Sequence, residues 1–354
     1  LEVLQHKTAG PLALVDSQDE AAARPEFVLE TYKTALRAYL SAEPPQRENA
    51  EGMMTALDEF VSAQGGEQAA QKLTEVYLGL GVQLQRQLKD LSTYGQKEKA
   101  AQVAAAFGDV LDRVAARPDA DTWRIRNWLA QTNLQLGQAL TGKESLAYVK
   151  RAQKAYEDIL AAAAKDKSYA PDAASLLGVR MRLGECLAAL GEHQKAIEQY
   201  GAILREKPNT IDLQLLAATA LQKWGVAEKD LGALDRSIRG DLKQQDGKNL
   251  IWGWLTLGTM ADSAKRQAAG GAASPESQER AARFEDLFFE ARYNVAKSRY
   301  LAGTIAPAGE REEQLKAARA NIDQMKTLYP ELGGPKWKAA FEELSKQIDQ
   351  ELAK

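Results

Sequence analysis

The segment Gly137-Gln-Ala-Leu-Thr-Gly142-Lys143-Glu144 comes nearest to chemistry, because its spacing almost spells the phosphate-binding pattern G-x4-G-K-[ST]. Such a loop cradles phosphates with backbone N–H groups and holds magnesium through a hydroxyl at the eighth place. Here the eighth residue is Glu144, which repels a phosphate and has no hydroxyl to offer. The residues before it form an amphipathic helical pattern where the motif needs a buried strand, so the stretch reads as a turn between paired helices. Gly79-Leu80-Gly81 opens like a dinucleotide fingerprint but lacks the third glycine and lies inside a helical stripe. It reads as a kink or a close-packing site.

The other reactive residues do not gather. Cys186 and His193 flank a turn at Gly191, so no single helical face joins them, and Cys186 occupies a small apolar position suited to a structural thiol. The second histidine, His6, stands far away, and no H-x3-H or D-x-D spacing suggests a metal. The acid pairs Glu312-Glu313 and Glu342-Glu343 and the run Lys97-Glu98-Lys99 are neighbours in sequence, hence point to different sides of a helix and read as solvated faces. No catalytic residue, cofactor site or metal site is expected.

The elements that would have to position any site are helices. Of 354 residues, 45% are hydrophobic and 27% charged, which fits a folded chain without membrane spans; no run approaches the roughly 18 apolar residues a span requires. Forty-six basic and 49 acidic residues leave a net charge of −3, which gives no general attraction for nucleic acid or anionic lipid. A single cysteine excludes an internal disulfide without assigning a compartment. Because the chain begins at Leu1, an N-terminal segment is expected to be missing, so a signal peptide cannot be judged and localisation stays open.

Apolar residues recur every three or four positions through almost the whole chain, and no stretch alternates as a strand does. Residues 1–25, with Gly10-Pro11 and Arg24-Pro25, read as an irregular lead-in. Residues 26–118 read as N-terminal helical pairs, with Gly65-Gly66 as punctuation and Pro118 as the stop. Residues 119–334 carry further pairs, interrupted by the linker Gly270-Gly271-Ala272-Ala273-Ser274-Pro275, and 335–354 is a final helix with one apolar face, Trp337, Phe341, Leu344 and Ile348. The count is about fourteen helices in seven antiparallel pairs.

Residues 177 to 210 form the clearest unit. Leu183-Gly184, Leu187, Ala196, Tyr200 and Pro208 occupy spaced positions of a 34-residue helix–turn–helix, with Gly191-Glu192 as its turn. Gly184 and Ala196 are small where two backbones must approach, and Pro208 ends the second helix. Trp254, Leu257-Gly258 and Ala261 restate the first half of the pattern; Ala318-x3-Ile322 and Pro330 restate the second. The segment resembles the tetratricopeptide repeat (TPR) family. The resemblance covers roughly residues 120 to 330, with the N-terminal third assigned by periodicity alone. It implies an all-α, right-handed α-solenoid of about seven antiparallel helix pairs, a TPR-like superhelix closed by a C-terminal capping helix.

The resemblance also implies a binding surface, lined by set positions of each first helix. In this chain they include Met181, Arg182 and Glu185, then Gln222 and Lys223, then Trp252, Leu255, Thr256 and Asp262, and finally Asn294, Val295 and Ser298. Family members that grip a chaperone's terminal carboxylate use Lys, Asn and Arg at places held here by Met181, Glu185, Leu216, Trp252 and Thr256, so that clamp is absent. Arg182 and Trp252 suit a peptide anchor, although Trp252 equally suits a helix seam. The expected role is a non-catalytic scaffold or adaptor binding a protein or peptide. A structural part of an envelope or secretion assembly is the alternative, with a helical-scaffold enzyme behind it.

Overall fold

The computed structural model describes the chain except for residues 1, 3–4, 6–9, 17–23, 64–66, 94, 118–119, 245–246 and 271–273. His6, Gly65-Gly66, Pro118 and Gly271–Ala273 therefore lie outside the described residues. The chain divides into two compact units, Leu1–Val179 and Arg180–Lys354, the division falling inside one helix. Fifteen helices are present among the described residues, and the fold is all-α apart from one small hairpin.

Unit 1 holds α1 (Pro11–Asp16), α2 (Pro25–Leu40), α3 (Arg47–Ala63), α4 (Glu67–Thr93), α5 (Lys97–Ala115), α6 (Trp123–Ala139), α7 (Gly142–Lys165) and the start of α8 (Ala173–Ala189). The helix α1 stands in the stretch expected to be irregular, where Pro11 supplies the preset φ of a first helical turn. Successive helices pack in tandem, α2 on α3, α4 on α5 and α6 on α7. Their inward stripes make one core that includes Leu36, Leu57, Tyr77, Phe107 and Val110. A half-buried polar knot ties three of these helices: Tyr77 Oη donates to Asp58 Oδ1 at 2.9 Å and Arg113 Nε to Asp58 Oδ2 at 2.6 Å. Burial and the adjacent Asp58 carboxylate push the Tyr77 phenol well above its ordinary pKa, so it stays a donor.

Unit 2 continues with the rest of α8, α9 (His193–Glu206), α10 (Ile211–Ala227), α11 (Leu231–Arg239), strands β1 (Asp241–Lys243) and β2 (Asn249–Ile251), α12 (Trp254–Ala269), α13 (Pro275–Ile305), α14 (Ala308–Leu328) and α15 (Pro335–Leu352). The strands pair antiparallel, with Asp241 opposite Ile251 and Lys243 opposite Asn249. They correct the expectation of a strand-free chain; three residues apiece are too few to show alternation in a sequence. Ser274 caps α13 through a reciprocal capping box with Ser277. The last helix buries one face, Trp337, Phe341, Leu344, Ser345 and Ile348.

Connections as short as Leu140-Thr141 and Ala306-Pro307 force consecutive helices to run antiparallel. Where such helices cross, a glycine repeatedly removes the side chain that would hold them apart. A Cβ placed on Gly137 would meet Val149 at 2.4 Å, on Gly184 Tyr200 at 2.2 Å, on Gly225 Leu234 at 2.5 Å and on Gly303 Leu315 at 2.7 Å. None of these spaces admits even a methyl group without movement. Gly184→Ala is accordingly expected to cost ~1–3 kcal/mol, because it drives a methyl into a fully buried ring. Gly52, mid-way along α3, has nothing within 4 Å of an added Cβ. Gly52→Ala should leave stability unchanged or raise it by ~0.5–1 kcal/mol. Urea denaturation of both variants checks the pair; equal midpoints would show that the crossing is not tight.

Candidate functional site

The phosphate-like segment is a helix-to-helix turn. Gly137 lies inside α6 against Val149, Gly142 takes φ +70° as α7 begins, and Ser145 Oγ donates to Gly137 O at 2.5 Å. Gly81 sits in α4 where an added Cβ would meet the Trp128 ring at 2.1 Å, so it is a packing glycine. Cys186 is fully buried. Among the described residues no three His, Cys, Asp or Glu are gathered as a metal ion would require.

His193 opens α9 and is buried, its ring stacked on Trp224 with centroids 6.4 Å apart, while the Arg236 guanidinium lies over Trp224 at 4.8 Å. Burial pushes the imidazole below its ordinary pKa; Glu228 opposes this and Lys223 adds to it. The Nδ1 atom has no hydrogen-bond partner.

The residues expected to line a groove all lie in unit 2, in different surroundings. Met181, Arg182 and Glu185 are half-buried on α8, and Lys223 and Thr256 are exposed on α10 and α12. Gln222 and Ser298 do not face a groove. Both are buried, Gln222 Nε2 donating to Ser298 Oγ at 2.8 Å, and Ser298 Oγ lying 2.9 Å from Ser237 Oγ. Helical position alone could not reveal this, because α13 packs against α10 and α11 on that side. Asn294 is half-buried, and its Nδ2 donates to Glu290 O at 2.9 Å.

Trp252, expected on a first helix, instead precedes α12 in the link from β2. It is half-buried against a cluster that includes Ala218, Ile238 and Trp254. Its backbone N–H donates to Gln214 Oε1 at 2.7 Å, and Gln214 Nε2 donates to Pro208 O at 2.9 Å and Leu250 O at 3.0 Å. Gln214, fully buried, thus clamps the hairpin onto α10. Nothing in the sequence marks it beyond a polar residue on an apolar face, next to Leu213 and one helical turn before Ala217 and Ala218.

Three of the expected positions do converge. Leu255 and Asp262 of α12 and Val295 of α13 line one pocket of about 250 Å³ that α14 closes with Asn321, Gln324 and Met325. Arg266, Phe288, Arg292, Leu328 and Tyr329 complete it. On each helix the spacing explains the shared face: Phe288, Arg292 and Val295 step by four and three, as do Asn321, Met325 and Leu328. Asp262 accepts a hydrogen bond from Arg266 within α12. Arg292 makes no ion pair among the described residues; its guanidinium carbon lies 5.3 Å from the Phe288 centroid, and its Nε passes Gly258, 3.5 Å from where a Cβ would stand. That Nε and Asn321 Oδ1 are buried without hydrogen-bond partners. Sequence reasoning missed both, although an arginine within the stripe Phe288, Ala291, Val295 was a visible signal.

No protein-family model matches the chain, and no curated protein matches it. Among solved structures it is similar to one described as a "Circular tandem repeat protein with novel repeat topology and enhanced subunit contact surfaces", at 13% identity and a TM-score of 0.34, covering 96% of this chain and 86% of that one. No helix among the described residues is long and apolar enough to cross a membrane.

Two expectations follow. Gln214→Leu strands two carbonyls and an N–H at once, and each orphaned buried group costs roughly 1–3 kcal/mol. Chemical denaturation should therefore report a loss of ~2 kcal/mol or more, and a change within error would remove Gln214 from its clamping role. For His193 the sign follows from its lowered pKa: the fold keeps the ring neutral while the unfolded chain takes up a proton below about pH 6.5. Stability is fully present above that value and declines as pH falls through it. Between about pH 7.5 and 5.5, His193→Phe should lose less stability than the native chain; parallel pH profiles would refute this.

Proposed function

We propose that this chain is a non-catalytic helical scaffold, TPR-like in its paired helices, that holds a protein or peptide segment on unit 2. The observation that carries the reading is the convergence of Leu255, Asp262 and Val295, three positions the resemblance assigns to a binding surface, on a single pocket. The local build of residues 177 to 210 adds support: α8 and α9 cross at Gly184 on Tyr200, Gly191 turns with φ +80°, and Pro208 follows the end of α9. Met181, Arg182, Glu185, Lys223, Trp252, Thr256 and Asn294 are the contacts proposed for the partner, with Arg182 as the leading anchor. No cofactor, nucleic acid or membrane insertion belongs to this reading.

The test separates binding from folding. Trp252 packs against a buried cluster, so Trp252→Ala is expected to lower stability and is a poor probe of affinity. Arg182→Ala and Thr256→Ala alter half-buried or exposed positions and should leave the fold intact. Affinity capture from the cells that make the protein should recover a stoichiometric protein partner, and Arg182→Ala should weaken it by a hot-spot loss of ~2 kcal/mol, roughly thirtyfold. Capture of no protein, or undiminished binding by both variants, would refute the assignment.

A further inference from the structure

The pocket between α12, α13 and α14 has an unbalanced inventory. Two arginines and one carboxylate line it. Arg266 is answered by Asp262 within α12, which leaves the Arg292 charge without a counter-ion among the described residues. Guanidinium and amide atoms removed from water are nearly always hydrogen-bonded, so Arg292 Nε and Asn321 Oδ1, both buried and both without partners, show that the two side chains reach the pocket with bonding capacity the fold leaves unused. The guanidinium fork matches the two oxygens of a carboxylate. Either end of the Asn321 amide, by rotation, serves the same group, and Gln324 offers a second amide beside it.

Polar groups make up most of the open wall, and the apolar or aromatic side chains Leu255, Phe288, Val295, Met325, Tyr329 and Leu328, the last 60% exposed despite its size, supply the remainder. One uncompensated positive charge facing such a wall suits a singly charged ligand with an apolar body better than a phosphate, which carries more charge and no apolar surface. Volume sets the scale. A cavity of about 150 Å³ accommodates benzene, so about 250 Å³ takes a ring or branched chain together with its carboxylate.

We propose that this pocket binds a carboxylate carried on an aromatic or branched apolar body, of the size of one terminal peptide residue or a free arylalkanoic acid. Arg292 supplies the charge, Asn321 and Gln324 orient the oxygens, and Phe288, Met325 and Leu328 receive the body. The proposal shares with the peptide-scaffold reading the convergence of Leu255, Asp262 and Val295 on this pocket, and goes beyond it in requiring no protein partner. The pocket and that surface share only Leu255, Asp262 and Val295, and none of the proposed partner contacts, Arg182 included, lines the pocket.

The probe is 3-phenylpropionate, titrated calorimetrically into the full chain beside its uncharged amide, with two hexapeptides ending in phenylalanine, one with a free carboxylate and one amidated. Saturable binding of a free-carboxylate probe, weakened about tenfold or more in its amide and in Arg292→Met, supports the proposal, since a charge-assisted bond is worth at least that factor. Which source the pocket serves is read from the two free-carboxylate probes: tighter binding of the peptide identifies a chain terminus, and tighter binding of the small acid identifies a free metabolite. Equal binding of acid and amide overturns it, as does undiminished binding by Arg292→Met. No saturable heat from either source, the outcome if water alone fills the pocket, overturns it too. The acid–amide comparison uses the native chain, so the test holds even if Arg292→Met fails to fold. Failure here leaves the Arg182-dependent capture of a protein unaffected, and the two readings fall separately.

Discussion

Everything in this fold depends on how closely consecutive helices approach. At Gly137, Gly184, Gly225 and Gly303 a helix presents bare backbone to the side chain opposite, and the valine, tyrosine or leucine there fills the space a Cβ would occupy. Contact at that range gives many small dispersion gains and excludes water from the seam. The pair α12–α13 departs from the pattern. Opposite Gly258 the nearest atoms stand at ordinary van der Waals distance, and two of the three belong to Arg292. The seam therefore carries an arginine side chain, and a pocket lies beside it.

Polar groups inside unit 2 divide along the same line. Gln214, Gln222, Ser237 and Ser298 are buried and bonded to one another or to the backbone. Such groups contribute little net stability, but they are satisfied in only one alignment of α10, α11 and α13, so they select a register that apolar contacts alone leave less defined. Arg292 and Asn321 lack that closure. The contrast within one unit separates residues whose bonding the architecture completes from the two that the proposed ligand would engage.

Helical periodicity made most of this legible in advance. The apolar residues from Leu73 to Leu88 in α4, from Val103 to Val114 in α5 and from Trp337 to Ile348 in α15 recur every three or four positions and each set forms one buried face, because a 3.6-residue repeat has few other ways to hide apolar surface. Gly184 was readable because its spacing to Tyr200 across a turn implies a crossing. The hairpin 241–251 was not, being too short to show a period and held by Gln214 from a distant helix. The site was less legible than the fold. Leu255, Asp262 and Val295 were in view through the family resemblance, whereas Arg292 and Asn321 acquire meaning only once three helices enclose them. Trp252 illustrates the limit: its type suggested an anchor, but its place was decided by a backbone bond to Gln214 that no local pattern encodes.

The helix α13 carries a final consequence. It spans Pro275–Ile305 and packs against α10, α11, α12, α14 and α15. A true string of interchangeable modules can be shortened by removing one module and splicing its neighbours. Unit 2 cannot be shortened in that way, because excising any pair that includes α13 would strip a wall from every remaining helix it touches. The chain in this region behaves as a hub with spokes.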